Sequence, residues 1–214
     1  MGTEHNTVEQ FQLDRDSEHL THNKPFTTEE LAKEIGKLKK KKAQSPSDEI
    51  SNEMIIYGGE ALRKVMLDLF NLLWTNEIFP KQWGKIHISP IYKKGDRRVL
   101  ANYRPIAITS NIWKVFERLI EGRIREIVDI PDEQAGFRKG YGTIDNLFRL
   151  REIVLGRSTE GNRTTVAFID LKEAYDRVWR DGLWYTLHNA GIRGKYYKNK
   201  VALYMYPKDI FPVT

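Results

Sequence analysis

The apolar residues of this sequence switch between helical and strand spacing, and that change narrows the possible folds more than any other feature. Leu31, Ile35 and Leu38 recur at helical intervals, as do Leu62, Val65, Met66, Leu69 and Leu73. The stretch Lys85 to Tyr92, "KIHISPIY", instead alternates in the manner of a strand, and "YRPIAI" (103–108) reads as a short returning strand. Helical spacing then resumes with Ile112, Val115, Phe116, Leu119 and Ile120. Helices broken by a few strands indicate an α+β (mixed α/β) fold.

Local signals sharpen the element limits. Thr27 and Glu30 form a capping-box pair for a first helix that closes in the basic run "KLKKKK". A second helix is expected over 52–76, and Pro80 ends that region. Thr109 or Ser110 is placed to cap the helix that follows the hairpin. Thr143 is placed to cap a further helix through Val154. The apolar run Val166-Ala167-Phe168-Ile169 predicts a strand over 165–170, covered on both faces. A last helix starts near Asp181 and ends near Gly191. Residues 1–25 are polar and non-periodic, and read as a linker or the tail of an upstream domain.

The 214 residues suffice for one or two domains. A net charge of +6 favours a polyanionic partner, although a basic run at a helix end is also an ordinary solvated feature. With no cysteine, disulfides and thiolate metal sites are excluded. The five histidines show no ligand spacing. The first residues lack the apolar core of a signal peptide, and no apolar run approaches the ~18 residues of a membrane span. The chain is therefore expected to be soluble and intracellular, cytoplasmic or nuclear, with no membrane partner.

Three stretches carry chemistry. Lys93, Lys94, Arg97, Arg98 and Arg104 set five cations against Asp96 around one hairpin. Two of them on one face could clasp a triphosphate, Arg104 as a bidentate fork, although a solvated basic hairpin has the same composition. The loop "GFRKGYGT" (136–143) combines three glycines with Arg138 and Lys139, a combination that lets backbone N–H groups approach phosphate. Asp170 ends an apolar run, where a carboxylate can serve as a hard oxygen ligand for Mg²⁺ or simply as a cap or turn former.

Taken in order, "PIYKKGDRRVLANYRPIAI", "DEQAGFRKGYGTIDNLFRLREIV" and "AFIDLKEAYDRV" resemble the reverse transcriptase domain of non-LTR (LINE-type) retrotransposons. The resemblance runs from about Phe26 to Tyr204. It implies right-hand polymerase fingers over 26–164 and the N-terminal part of a palm over 165–214. "FIDLKEAYD" is similar to polymerase motif A, which gives Asp170 the catalytic, Mg²⁺-binding role. By the same carry-over, Lys93 or Lys94, Arg104, Glu173, Ala174 and Tyr175 would meet the incoming dNTP. Tyr175 would stand where a side chain excludes the 2′-OH, and Asp176 would have a structural part. Gln134, Gly136, Phe137 and Arg138 match the block that lies along the template. The implied partners are an RNA template, a DNA primer and dNTPs, with Mg²⁺ as cofactor.

The sequence departs from the family pattern in three places. The early Ser-Pro-Gly block stands here as Ser45-Pro46-Ser47-Asp48-Glu49, without its glycine, and "GYGT" puts Tyr141 where a basic residue is usual. The third departure is larger: no pair of adjacent aspartates occurs, and no Gly-Gln-Gly segment. The resemblance thus predicts a fragment of an RNA-directed DNA polymerase that is catalytically incomplete. The alternatives are a non-catalytic nucleic-acid-binding remnant and a non-functional fragment.

Overall fold

A computed structural model describes residues 23–44, 48–84, 86–171, 174 and 177–198. Seven α-helices and two strands are assigned among them: α1 (Thr28–Gly36), α2 (Asn52–Tyr57), α3 (Gly59–Asn76), β1 (His87–Tyr92), β2 (Tyr103–Ile108), α4 (Asn111–Ile127), α5 (Thr143–Thr159), α6 (Arg180–Asn189) and α7 (Lys195–Lys198). Helix with one small antiparallel sheet is the mixed fold that the changing apolar period predicts. No described helix is long and apolar enough to cross a membrane. The chain divides into two compact units, one of residues 1–127 with 191–214 and one of residues 128–190.

The first unit owes its core to aromatic residues on α3 and α4. Phe70, Trp74, Trp113 and Phe116 are buried, together with Phe26, Leu31, Ile35, Met66, Leu119 and Ile120. Phe116 meets Phe70 at 5.3 Å between ring centroids and Phe26 at 5.8 Å, while Phe79 meets Trp113 edge-on at 4.9 Å. Tilted and edge-on rings of this kind add roughly 0.5–1.5 kcal/mol per pair beyond their buried area. Tyr196 of α7 closes on Trp74 at 5.0 Å.

A polar latch ties residues 24–30 to this core. Arg123, 6% exposed, donates from Nε and Nη2 to the two carboxylate oxygens of Glu30 at 2.7 and 2.8 Å. Its remaining donors reach the carbonyls of Lys24 and Pro25, and its guanidinium lies 4.2 Å from the Phe26 ring centre. Asn71 supports the same segment by accepting from Phe26 N at 2.6 Å and donating to Phe26 O at 3.0 Å. A buried charge held this fully is stable only as a set, since removing one partner strands the others.

Most of the expected element limits hold. The Thr27–Glu30 capping box forms, and α1 stops at the first lysine of "KLKKKK". Ser110 caps α4 by accepting from Trp113 N at 3.3 Å.

Three expectations need correction. The helix expected over 52–76 is two helices, because Gly59 takes a left-handed φ of +71° between them. A side chain is also barred at Gly58, where a Cβ would lie 2.8 Å from the Met54 carbonyl. Helix α5 is capped by Gly142 rather than Thr143, with Gly142 N donating to Asp145 Oδ2 at 2.6 Å, and it continues past Val154 to Thr159.

The third correction concerns 165–170, which is irregular rather than a strand. An extended segment becomes a strand only when a neighbour takes up its N–H and C=O groups. The one ladder among the described residues joins β1 to β2. Phe168 and Ile169, expected to be covered, are 85% and 88% exposed.

Candidate nucleotide and nucleic-acid surfaces

The first surface is the β1–β2 hairpin. Its register sets Ile91 opposite Arg104 and Tyr92 opposite Tyr103, and Lys93 N donates to Asn102 O at 2.8 Å. Side chains alternate along a strand, so Lys93 falls diagonally across from Arg104 on one face. The loop between them is closed by its own bonds. Tyr92 Oη donates to Gly95 O at 2.5 Å, Tyr103 Oη to Arg97 O at 2.8 Å, and Asn102 Nδ2 to Asp96 O at 2.8 Å. Gly95 permits this closure at φ +93°, where a Cβ would strike the Asn102 amide at 2.7 Å. Lys93, Lys94, Arg97, Arg98 and Arg104 are all exposed. Among the described residues none of the five forms a salt bridge, although Arg97 lies over the Tyr92 ring at 5.2 Å. Five cations around one hairpin, whose only carboxylate is that of Asp96 accepting from Arg98 N at 2.9 Å, give a field suited to a phosphate chain.

The second surface is the loop before α5. Gln134 N donates to Pro131 O at 3.0 Å, Gly136 is exposed, and Phe137 is 81% exposed at a left-handed φ of +61°. Arg138 is turned toward its own loop. It donates to Pro131 O at 2.8 Å and to Asp132 Oδ1 at 3.1 Å, with its guanidinium 4.5 Å from the Tyr141 ring centre. Arg149 of α5 donates to Asp132 O at 2.9 Å and lies 5.4 Å from the same ring. The sequence reading missed Asp132, Tyr141 and Arg149 as one group. The available signal was the helical spacing of Asp145 and Arg149, which brings α5 back over the glycine loop.

The third region is 170–176. Asp170 is exposed in irregular chain, and Ala174 is exposed in a turn. Glu173, Tyr175 and Asp176 lie outside the described residues, as do Ser45, Pro46 and Ser47 of the early block. Among the described residues no three His, Asp or Glu side chains converge where a metal ion could be held. A divalent cation such as Mg²⁺ needs several oxygen ligands, and Asp170 supplies one carboxylate. The described residues therefore do not by themselves compose the metal site that the resemblance implies.

Comparison with known proteins bears on what these surfaces are for. Residues 91–210 match the family model described as reverse transcriptase (RNA-dependent DNA polymerase). The chain belongs to the reverse transcriptase family. The matched span contains Lys93, Lys94, Arg104, the 134–138 loop and Asp170.

Three relatives come from Drosophila melanogaster. The probable RNA-directed DNA polymerase from transposon BS is 33% identical over 165 residues, covering 75% of this chain and 18% of the relative. The corresponding protein of transposon X-element is 41% identical over 120 residues, 54% of this chain and 13% of the relative. The RNA-directed DNA polymerase from mobile element jockey is 34% identical over 165 residues, 74% of this chain and 18% of the relative. This chain thus spans less than a fifth of the length of the curated relatives it matches. It is part of a reverse transcriptase domain of the non-LTR transposon kind, and the family implies a divalent metal, a nucleic-acid template and nucleotide substrates.

Proposed function

We propose that this chain carries the fingers and the first part of the palm of an RNA-directed DNA polymerase from a non-LTR element. In this reading the β1–β2 hairpin grips the triphosphate of an incoming dNTP through Arg104 and Lys93 or Lys94. Glu173, Ala174 and Tyr175 flank the same nucleotide. Gln134, Gly136, Phe137 and Arg138 follow the RNA template, and Asp170 contributes one carboxylate toward Mg²⁺. The supporting observation is the hairpin register, which pairs Ile91 with Arg104 and so sets Lys93 diagonally across from Arg104 on one face. A two-ion phosphoryl transfer needs carboxylates beyond Asp170. The reading therefore assigns nucleotide and strand binding to this chain, and polymerisation to a longer one. It is expected to act wherever the template RNA is found, in cytoplasm or nucleus.

The absence of adjacent aspartates favours a second reading for the chain acting alone, as a nucleic-acid-binding remnant without chemistry. Both readings are tested by titrating a short single-stranded RNA at several salt concentrations. Removing one cation that neutralises a phosphate should flatten the slope of log affinity against log salt by about 0.7 for a single strand. On the second reading the double variant Lys93→Ala/Arg104→Ala is expected to flatten this slope by the equivalent of one to two phosphates; on the first it leaves the RNA slope unchanged and weakens binding of a dNTP. Binding indifferent to salt between roughly 50 and 200 mM would remove the electrostatic basis of both readings.

A further inference from the structure

The open groove between the glycine loop and α5 has no role in the reading above. It encloses about 510 Å³ and is lined by Gly140, Tyr141, Ile144, Asp145, Phe148 and Arg149. The volume falls in the ordinary range for small-ligand sites.

We infer that this groove takes one unpaired nucleobase of a single-stranded RNA, stacked on Phe148 and Tyr141. The inference rests on the template-strand reading proposed above and names an interaction within it. Two aromatic rings share the groove, and they are held differently. Two guanidiniums lie close to the Tyr141 ring, Arg138 at 4.5 Å and Arg149 at 5.4 Å from its centre. Both guanidiniums are anchored on Asp132, Arg138 to its carboxylate and Arg149 to its carbonyl. The Phe148 ring, 58% exposed, stands one helical turn along α5 from Ile144 and opens to solvent.

Rigid aromatic faces beside guanidinium planes are the surfaces on which unstacked bases settle, whatever their sequence. A phosphate fits the groove less well. The Asp145 carboxylate forms part of the wall, already accepting from Gly142 N at 2.6 Å, and would repel it. That same carboxylate is suited to an amino group on a base edge. The groove therefore complements the hairpin, which presents cations and suits the charged part of a nucleotide or strand.

The test compares a short single-stranded RNA with an abasic ribose-phosphate strand of the same length, by fluorescence anisotropy on the full chain. Phe148→Ala is expected to weaken RNA binding roughly five- to hundredfold, with binding of the abasic strand and the salt slope unchanged. Phe148→Trp should restore the affinity. Tyr141→Arg should lose the preference for RNA over the abasic strand while steepening the salt dependence. Because Phe148 is largely exposed, its removal should leave the far-UV circular dichroism intact, which separates binding from folding. Equal losses on both strands, or no loss, would overturn the base-stacking role while leaving the salt-dependent grip of the hairpin in place. Failure of the unaltered chain to bind either strand would overturn the template reading and this inference together.

Discussion

At Glu117 on α4, packing decides whether a carboxyl group keeps its proton. Burial pushes the Glu117 carboxyl up to about 7, and Glu121 adds to the rise, while a Trp113 hydrogen bond and the Lys114 charge oppose it. The Lys114 ammonium is itself lowered, mainly by burial, so the neighbouring pair does not cancel the cost of desolvation. A carboxyl whose folded value lies above its unfolded one stabilises most below about pH 4.3, and that contribution is lost as pH rises through the folded value. The first unit should therefore lose stability between about pH 4.3 and 7 through this group and level off above. Glu117→Gln should flatten that fall and stabilise the unit at pH 8 by roughly 1–3 kcal/mol, read from urea midpoints at several pH values. An unchanged pH profile would show that Glu117 is already solvated. Glu30 behaves oppositely. Burial alone would raise its carboxyl, but the Arg123 hydrogen bonds and charge, with the Thr27 backbone N–H, bring it below the usual range. Its stabilising share is lost as pH falls through that lowered value.

Among the elements, legibility followed locality. The hairpin, the Thr27 cap and the α4 start were readable because strand alternation, capping residues and apolar period act within a few residues. The break at Gly58–Gly59 was written in the sequence too, but the unbroken apolar spacing on either side masked it. The Arg123–Glu30 latch was not legible, since its partners lie 93 residues apart and no local signal joins them. The groove at Tyr141 was half legible: its glycines and cations were visible, its aromatic face was not. The segment 165–170 failed for a physical reason, because strand propensity is realised only against a partner strand. Its exposed Phe168 and Ile169, with Val166 and Leu171 beside them, form an apolar, unpaired stretch of the kind that seeks edges on other molecules. The isolated chain is expected to bind a hydrophobic dye and to self-associate, and Phe168→Ser with Ile169→Lys should reduce both in light scattering. A monodisperse chain with one reversible melting transition and no dye binding would contradict this.

Across the molecule, the two units differ in how much they bury. The first encloses an aromatic core, whereas in the second only Ala135 and Trp184 are buried apolar residues among those described, and α5 buries none. Ile144, Leu147, Phe148 and Ile153 of α5 are each more than half exposed. An apolar surface of this kind is of the sort that marks an interaction site. In the proposed reading Asp170 is one carboxylate where phosphoryl transfer on two ions requires several. Primer extension on an RNA template tests this account most directly. The assay compares the 214-residue chain with the same chain continued into the remaining reverse transcriptase of its jockey relative. The account predicts no extension by the chain alone, template-dependent extension by the continued chain, and loss of that extension with Asp170→Ala. Extension by the chain alone, or extension by the continued chain that survives Asp170→Ala, would contradict it.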